Sequence, residues 1–206
     1  MQYLLSVRQL EKSFNSVTIF NSINFNIEGN SIYKLRGPNG AGKTTIMRII
    51  SSQILDYGGE VFLEERNIKN IGISLYKDVH YLAPHPSLYD YLTLEENVIF
   101  FSKLNKLDNL DKKNSLFKKF GLEDYRFKKA YQLSDGTKKK VSIVISLLVN
   151  PRFLILDEPY TYLDDVSIGV LNNIIQHYPQ DGGGVLLADN STGSSSLDLS
   201  GLIDLK

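Results

Sequence analysis

Ser31-Ile32-Tyr33-Lys34-Leu35-Arg36-Gly37-Pro38-Asn39-Gly40-Ala41-Gly42-Lys43-Thr44-Thr45-Ile46 is the stretch that decides how this chain folds. Its first six residues read as a short buried strand. Its middle is a glycine loop of the form Gly-x-x-x-x-Gly-Lys-Thr, and its end opens an apolar helix that runs on through Met47-Arg48-Ile49-Ile50. Glycines let successive backbone N–H groups converge on phosphate oxygens, and the helix N-terminus adds positive potential. Gly37, Asn39, Gly40, Ala41, Gly42 and Thr45 are therefore candidate phosphate contacts. Lys43 is placed to reach the outer phosphates of a triphosphate, and Thr44 to coordinate magnesium. An ordinary glycine turn is the alternative for the loop alone; the strand before it and the helix after it argue for the phosphate corner.

Working outward, two more apolar runs end in polar residues. Phe153-Leu154-Ile155-Leu156 delivers Asp157 and Glu158, and Gly184-Val185-Leu186-Leu187-Ala188 delivers Asp189 and Asn190. Runs of this kind read as buried parallel strands, whose C-terminal ends are where open α/β sheets bind ligands. Asp157 is then the candidate for the magnesium shell and Glu158 for orienting or deprotonating an attacking water, although an isolated Asp-Glu pair is also an ordinary solvated strand end. Alternating apolar residues over Leu4–Leu10 and Val17–Ile27, with a turn at Glu28-Gly29-Asn30, predict an antiparallel β lobe. From about residue 92 to 148 the period becomes helical. Thr93 with Glu96 fits a capping box, and Asn97–Leu104 and Asp111–Phe120 carry helical spacing. The expectation is one α/β domain over residues 1–206 with a helical subdomain in its middle third.

Composition removes several functions. Hydrophobic residues at 42% and charged residues at 22% belong to a packed globular chain, not a disordered one. Lys plus Arg equals Asp plus Glu at 23 each, so no global field favours nucleic acid. The chain has no Cys, which excludes disulfides, thiolate chemistry and zinc-thiolate sites. The first residues lack a basic region followed by a long apolar stretch, and no apolar run reaches about 18 residues, so neither a signal peptide nor a membrane span is expected.

Leu133-Ser134-Asp135-Gly136-Thr137 stands before the apolar helix Val141–Val149, which stops at Pro151. Its plain reading is a Ser-capped helix N-terminus, which still offers free N–H groups to a phosphate. Together with the glycine loop and the Asp157-Glu158 strand, in this order and spacing, it resembles the ATP-binding cassette (ABC) ATPase family over nearly the whole chain. Leu133–Thr137 is similar to that family's Leu-Ser-Gly-Gly-Gln signature, and Thr161-Tyr162-Leu163-Asp164 to its D-loop. The resemblance implies a P-loop NTPase fold with ATP and Mg2+ as ligands. Phe14 would stack on adenine, and Ser134 and Gly136 would close on the nucleotide of a second nucleotide-binding domain, in a homodimer or heterodimer. It also implies multi-span membrane subunits as partners, contacted near Pro84–Leu92 through Leu88, Tyr89 and Tyr91. The chain would then lie peripherally on the cytoplasmic face of an inner membrane, or on the matrix face of the mitochondrial one.

Three positions depart from the family pattern. Pro84 stands at the Q-loop glutamine and can offer only its carbonyl. Asn190 stands at the switch histidine; it can donate a hydrogen bond but cannot shuttle a proton. Asp135 brings a negative charge into the signature-like segment, where a triphosphate should dock. Two unit charges 6 Å apart interact by roughly 3 kcal/mol at an effective dielectric of about 20, so closure is disfavoured unless Lys138–Lys140 compensate. These changes imply ATP binding with slow or partner-dependent hydrolysis. Leu156–Val166 and Gly182–Leu187 are further similar to the small ATPase of the haem exporter in cytochrome c maturation. The alternatives are a non-catalytic ABC-like structural subunit of a membrane complex and a soluble ABC protein of translation or DNA repair.

Overall fold

A computed structural model describes residues 3–106, 110–179 and 181–205, together with the side chains of all of these except Ile73 and Leu110. The N-terminal alternation folds as anticipated: β1 (Tyr3–Phe14) and β2 (Val17–Glu28) pair antiparallel from Tyr3↔Glu28 to Phe14↔Val17. Asn15 and Ser16 join them with φ of 45° and 67°, the positive pair that matches a two-residue turn to the strand twist. β4 (Gly58–Leu63) covers the other edge of β1 and β5 (Arg66–Asn67) follows, giving the order β2-β1-β4-β5.

The second sheet is parallel throughout and runs β6-β7-β8-β3-β9. Its strands are β3 (Ser31–Arg36), β6 (Val79–Leu82), β7 (Phe153–Asp157), β8 (Gly184–Ala188) and β9 (Gly201–Asp204). Alternation along these strands divides the core. Phe153, Ile155, Leu186 and Ala188 face a cluster shared with β1 and with α1 (Lys43–Ile50), while Leu154, Leu156, Val185 and Leu187 face a second cluster built on the helices. Burial on both faces is why these runs carry no polar interruption.

Short helices α2 (Ile68–Ile71) and α3 (Leu75–Asp78) lead into β6. The helical third follows, with α4 (Leu94–Leu104), α5 (Leu110–Lys119) and α6 (Asp135–Val149); α7 (Asp165–Gln176) packs between β7 and β8 in chain order. Thr93 and Glu96 form the expected capping box on α4. Ser134 caps α6 by accepting from the Thr137 N–H at 3.3 Å. Among the described residues no helix is long and apolar enough to cross a membrane.

Strand order does the functional work. β7, β8 and β3 are neighbours running the same way, so the glycine loop after β3, Asp157-Glu158 at the end of β7 and Asp189-Asn190 after β8 emerge along one edge.

Candidate phosphate and magnesium site

The glycine loop is shaped by backbone that only glycine tolerates. Gly40 and Gly42 have φ of 85° and 91°. A Cβ on Gly42 would meet Phe20 Cδ1 at 2.7 Å and Ile19 Cγ2 at 2.9 Å, so β2 forces a bare backbone there. Ala41 N–H donates to Pro38 O at 3.2 Å and tightens the turn. Lys43 Nζ folds back onto the Gly37 and Pro38 carbonyls at 2.7 and 3.2 Å, an ammonium parked on neutral acceptors that anionic oxygens can replace with stronger bonds.

A cavity of about 270 Å³ brings Asn39, Gly40, Gly42, Lys43, Thr44 and Thr45 together with Asp157, Glu158 and Asn190. Asp157 is 2% exposed and accepts from the Tyr81 hydroxyl at 2.8 Å. Glu158 sits at φ 45°, a left-handed conformation costly for a side-chain-bearing residue, and its N–H donates to Ala188 O at 2.8 Å. Asn190 grips its carboxylate twice: Nδ2 donates to Oε1 at 2.7 Å and the backbone N–H to Oε2 at 3.3 Å. The same Nδ2 reaches Asn39 Oδ1 at 3.2 Å, tying the switch position to the glycine loop. Burial raises the Glu158 carboxyl above the usual range, with Asp189 and Asp157 adding and the Asn190 N–H and Lys43 opposing.

Magnesium and a triphosphate fit this donor set. Thr44 and Asp157 offer hard oxygens, and no group of three or more His, Cys, Asp or Glu able to hold a metal occurs among the described residues. Two protein oxygens with the remaining ligands from phosphate and water is the usual magnesium pattern.

The remaining candidates lie apart. Phe14 is 45% exposed at the end of β1, outside this cavity, with Lys12 Nζ 4.6 Å from its ring centroid. Ser134 and Gly136 line a separate groove of about 880 Å³ with Tyr162 and Asp164. A Cβ on Gly136 would lie 2.6 Å from the Tyr162 carbonyl, which makes that glycine a packing requirement. Asp135 borders a third recess with His85 and Lys138.

Of the lysines expected to compensate Asp135, only Lys138 shares its recess, because consecutive helical residues point about 100° apart and Lys138 stands three positions on, along the same face. Lys138 pairs with Asp90 at 3.5 Å, and Lys140 with Asp164 at 2.6 Å. Lys139 is fully buried and donates to the carbonyls of Ala83 and Pro84 at 2.9 and 2.8 Å. The single polar group that Pro84 retains is thus already engaged. Burial lowers the Lys139 ammonium to about 8, with Asp157 and Glu158 opposing the shift.

Comparison with known proteins completes the picture. A family model described as ABC transporter matches residues 20–161. The chain belongs to the ABC transporter ATP-binding family. It is 32% identical over 91% of its length, and 80% of the relative's, to the lantibiotic transport ATP-binding protein SrtF of Streptococcus pyogenes. It is 35% identical over 78% of its length to the spermidine/putrescine import ATP-binding protein PotA of Fusobacterium nucleatum, of which it spans only 43%. A solved structure titled as the ATP binding subunit of an ABC transporter superposes with a TM-score of 0.88 at 25% identity, covering 98% of this chain and 85% of that one.

Within the family frame, sequence reasoning found the glycine loop, Asp157, Glu158 and Asn190, and missed Tyr81 and Lys139. The available signal for the second was the helical spacing that puts Lys139 on one face with Ile143 at i+4, in a helix with apolar residues all round.

Proposed function

We propose that this chain is the ATP-binding subunit of a membrane-associated ABC assembly, binding Mg-ATP at its glycine loop and hydrolysing it slowly. The observation that carries the reading is the meeting of Lys43, Thr44, Asp157, Glu158 and Asn190 around one cavity. Ser134 and Gly136 lie outside that cavity, which supports their acting on a nucleotide held by a second nucleotide-binding domain, of the same chain or another. Relatives named for polyamine import and lantibiotic transport support a transport role, with this chain peripheral on the cytoplasmic face beside membrane subunits. Tyr91 and Tyr89, 81% and 52% exposed beside Leu88, are the side chains offered to such a partner. The haem-exporter role in cytochrome c maturation is a narrower form of the same proposal, resting on Leu156–Val166 and Gly182–Leu187.

Titration calorimetry with Mg-ATP tests binding, beside Lys43→Ala, which should abolish the heat. Single-turnover hydrolysis tests chemistry, with Glu158→Gln expected to slow phosphate release by about 10²–10⁴ while nucleotide stays bound. A second reading, a non-catalytic structural subunit, is favoured by the engaged Pro84 carbonyl and by the Glu158 carboxylate held at both oxygens. Bound Mg-ATP with no phosphate release in the purified membrane complex would select it. Purification from native membranes without multi-span partners would point instead to a soluble ABC protein.

A further inference from the structure

Behind Asn190 lies a charge pair that the nucleotide chemistry does not use. Lys34 sits mid-strand in β3, where its register partner is Leu187 of β8. Its Nζ lies 3.6 Å from Asp189 Oδ2, with the two side chains 15% and 1% exposed. Ser194 Oγ accepts from Lys34 Nζ at 2.7 Å and donates to Asp189 Oδ2 at 2.9 Å. The other carboxylate oxygen takes the Ser191 N–H and hydroxyl at 2.8 and 2.6 Å. From α7, Asn172 Nδ2 donates to Gly193 O at 2.7 Å and Ser196 Oγ at 2.8 Å, while Tyr160 fixes Asn172 by donating to its Oδ1 at 2.6 Å. Residues 189–196 are thus bolted from the sheet side and from the helix side.

Such a pair is a poor device for stability. Removing both charges from water costs several kcal/mol per ion, and an apolar replacement of similar shape is often neutral or better. What the pair does provide is direction. Asp189 is the residue before Asn190, and every acceptor on its carboxylate is spent on the turn that aims Asn190 at Glu158. We infer that Lys34 and Asp189 are positioning residues, which hold the switch loop so that Asn190 orients Glu158 toward the attacking water. This role rests on the hydrolytic reading above.

The test uses the full chain as Lys34→Met, the near-isosteric Asp189→Asn, and Lys34→Arg. Three readouts are needed: Mg-ATP affinity by calorimetry, single-turnover phosphate release, and hydrogen exchange across residues 189–197. The expected result is nucleotide affinity within about twofold of wild type, faster exchange in that loop, and a rate lowered at least about tenfold, as for a misaimed catalytic group. Lys34→Arg should recover part of the rate. Folded Lys34→Met and Asp189→Asn proteins that release phosphate at the wild-type rate overturn the role. So does a rate that falls only in step with lost affinity and melting temperature, since that describes a merely structural pair. A wild type that binds Mg-ATP and releases no phosphate defeats the hydrolytic reading first and this role with it, an outcome distinguishable from the other two.

Discussion

Burial of His80 on β6 should make the stability of this chain acid-sensitive. Its ring is buried beside Ser146 of α6, with Nε2 3.1 Å from the Ser146 hydroxyl, and burial lowers its pKa from 6.5 to about 4. A base held neutral in the native state and free to charge when unfolded binds more protons in the unfolded chain between those two values. Its contribution is therefore complete above pH 6.5 and is lost progressively as pH falls toward 4. At pH 5 the linkage amounts to about 2 kcal/mol, or about 4–8 °C of melting temperature for a chain of this size. Urea unfolding at pH 7.5 and 5.0 for wild type and His80→Gln measures it. Carboxylates titrate equally in both proteins and cancel in the difference, so wild type should lose about 2 kcal/mol more than His80→Gln. Equal losses in the two proteins would refute the assignment.

Gly42→Ala should cost about 1–2 kcal/mol from its left-handed backbone alone, more with the Phe20 contact, and should abolish Mg-ATP binding; melting and calorimetry read both effects. Asn97 is fully buried, accepting from Tyr89 N–H at 2.8 Å and donating to Tyr89 O and Thr93 O at 3.1 and 2.9 Å. Asn97→Ala strands those groups, so urea unfolding should show a loss of about 2–4 kcal/mol. Asp135→Gly removes a negative charge from a recess whose Lys138 is shared with Asp90. It should tighten ATP-dependent self-association tenfold or more in a Glu158→Gln background, as read by sedimentation.

What could be read from the chain was whatever has a short period or a forced backbone. Ile32 and Leu35 before three glycines announce a strand leading into a phosphate corner, and the unbroken apolar runs ending in Asp157 and Asp189 announce parallel strands because burial on both faces leaves those two runs without a polar residue. β6 escaped notice because Val79-His80-Tyr81-Leu82 is short and carries a buried histidine, and β9 because Gly201-Leu202-Ile203-Asp204 is too brief to show alternation. The contacts that finish the site join residues far apart, Tyr81 to Asp157 across 76 positions and Lys139 to Pro84 across 55, and no local pattern encodes them. The lysine run divides for the same reason: three adjacent cations look like one patch until the helix leaves Lys138 beside Asp135, buries Lys139 and turns Lys140 to Asp164.

The grip of Lys139 on the Ala83 and Pro84 carbonyls has a mechanical consequence. Residue 84 is where the loop beyond β6 is held by two elements at once. One is β6, whose Tyr81 hydroxyl donates to Asp157, and the other is α6, capped at its tip by Ser134. The loop is therefore tied to the end of β7 and to the tip of α6 through separate contacts, with residue 84 as their shared anchor.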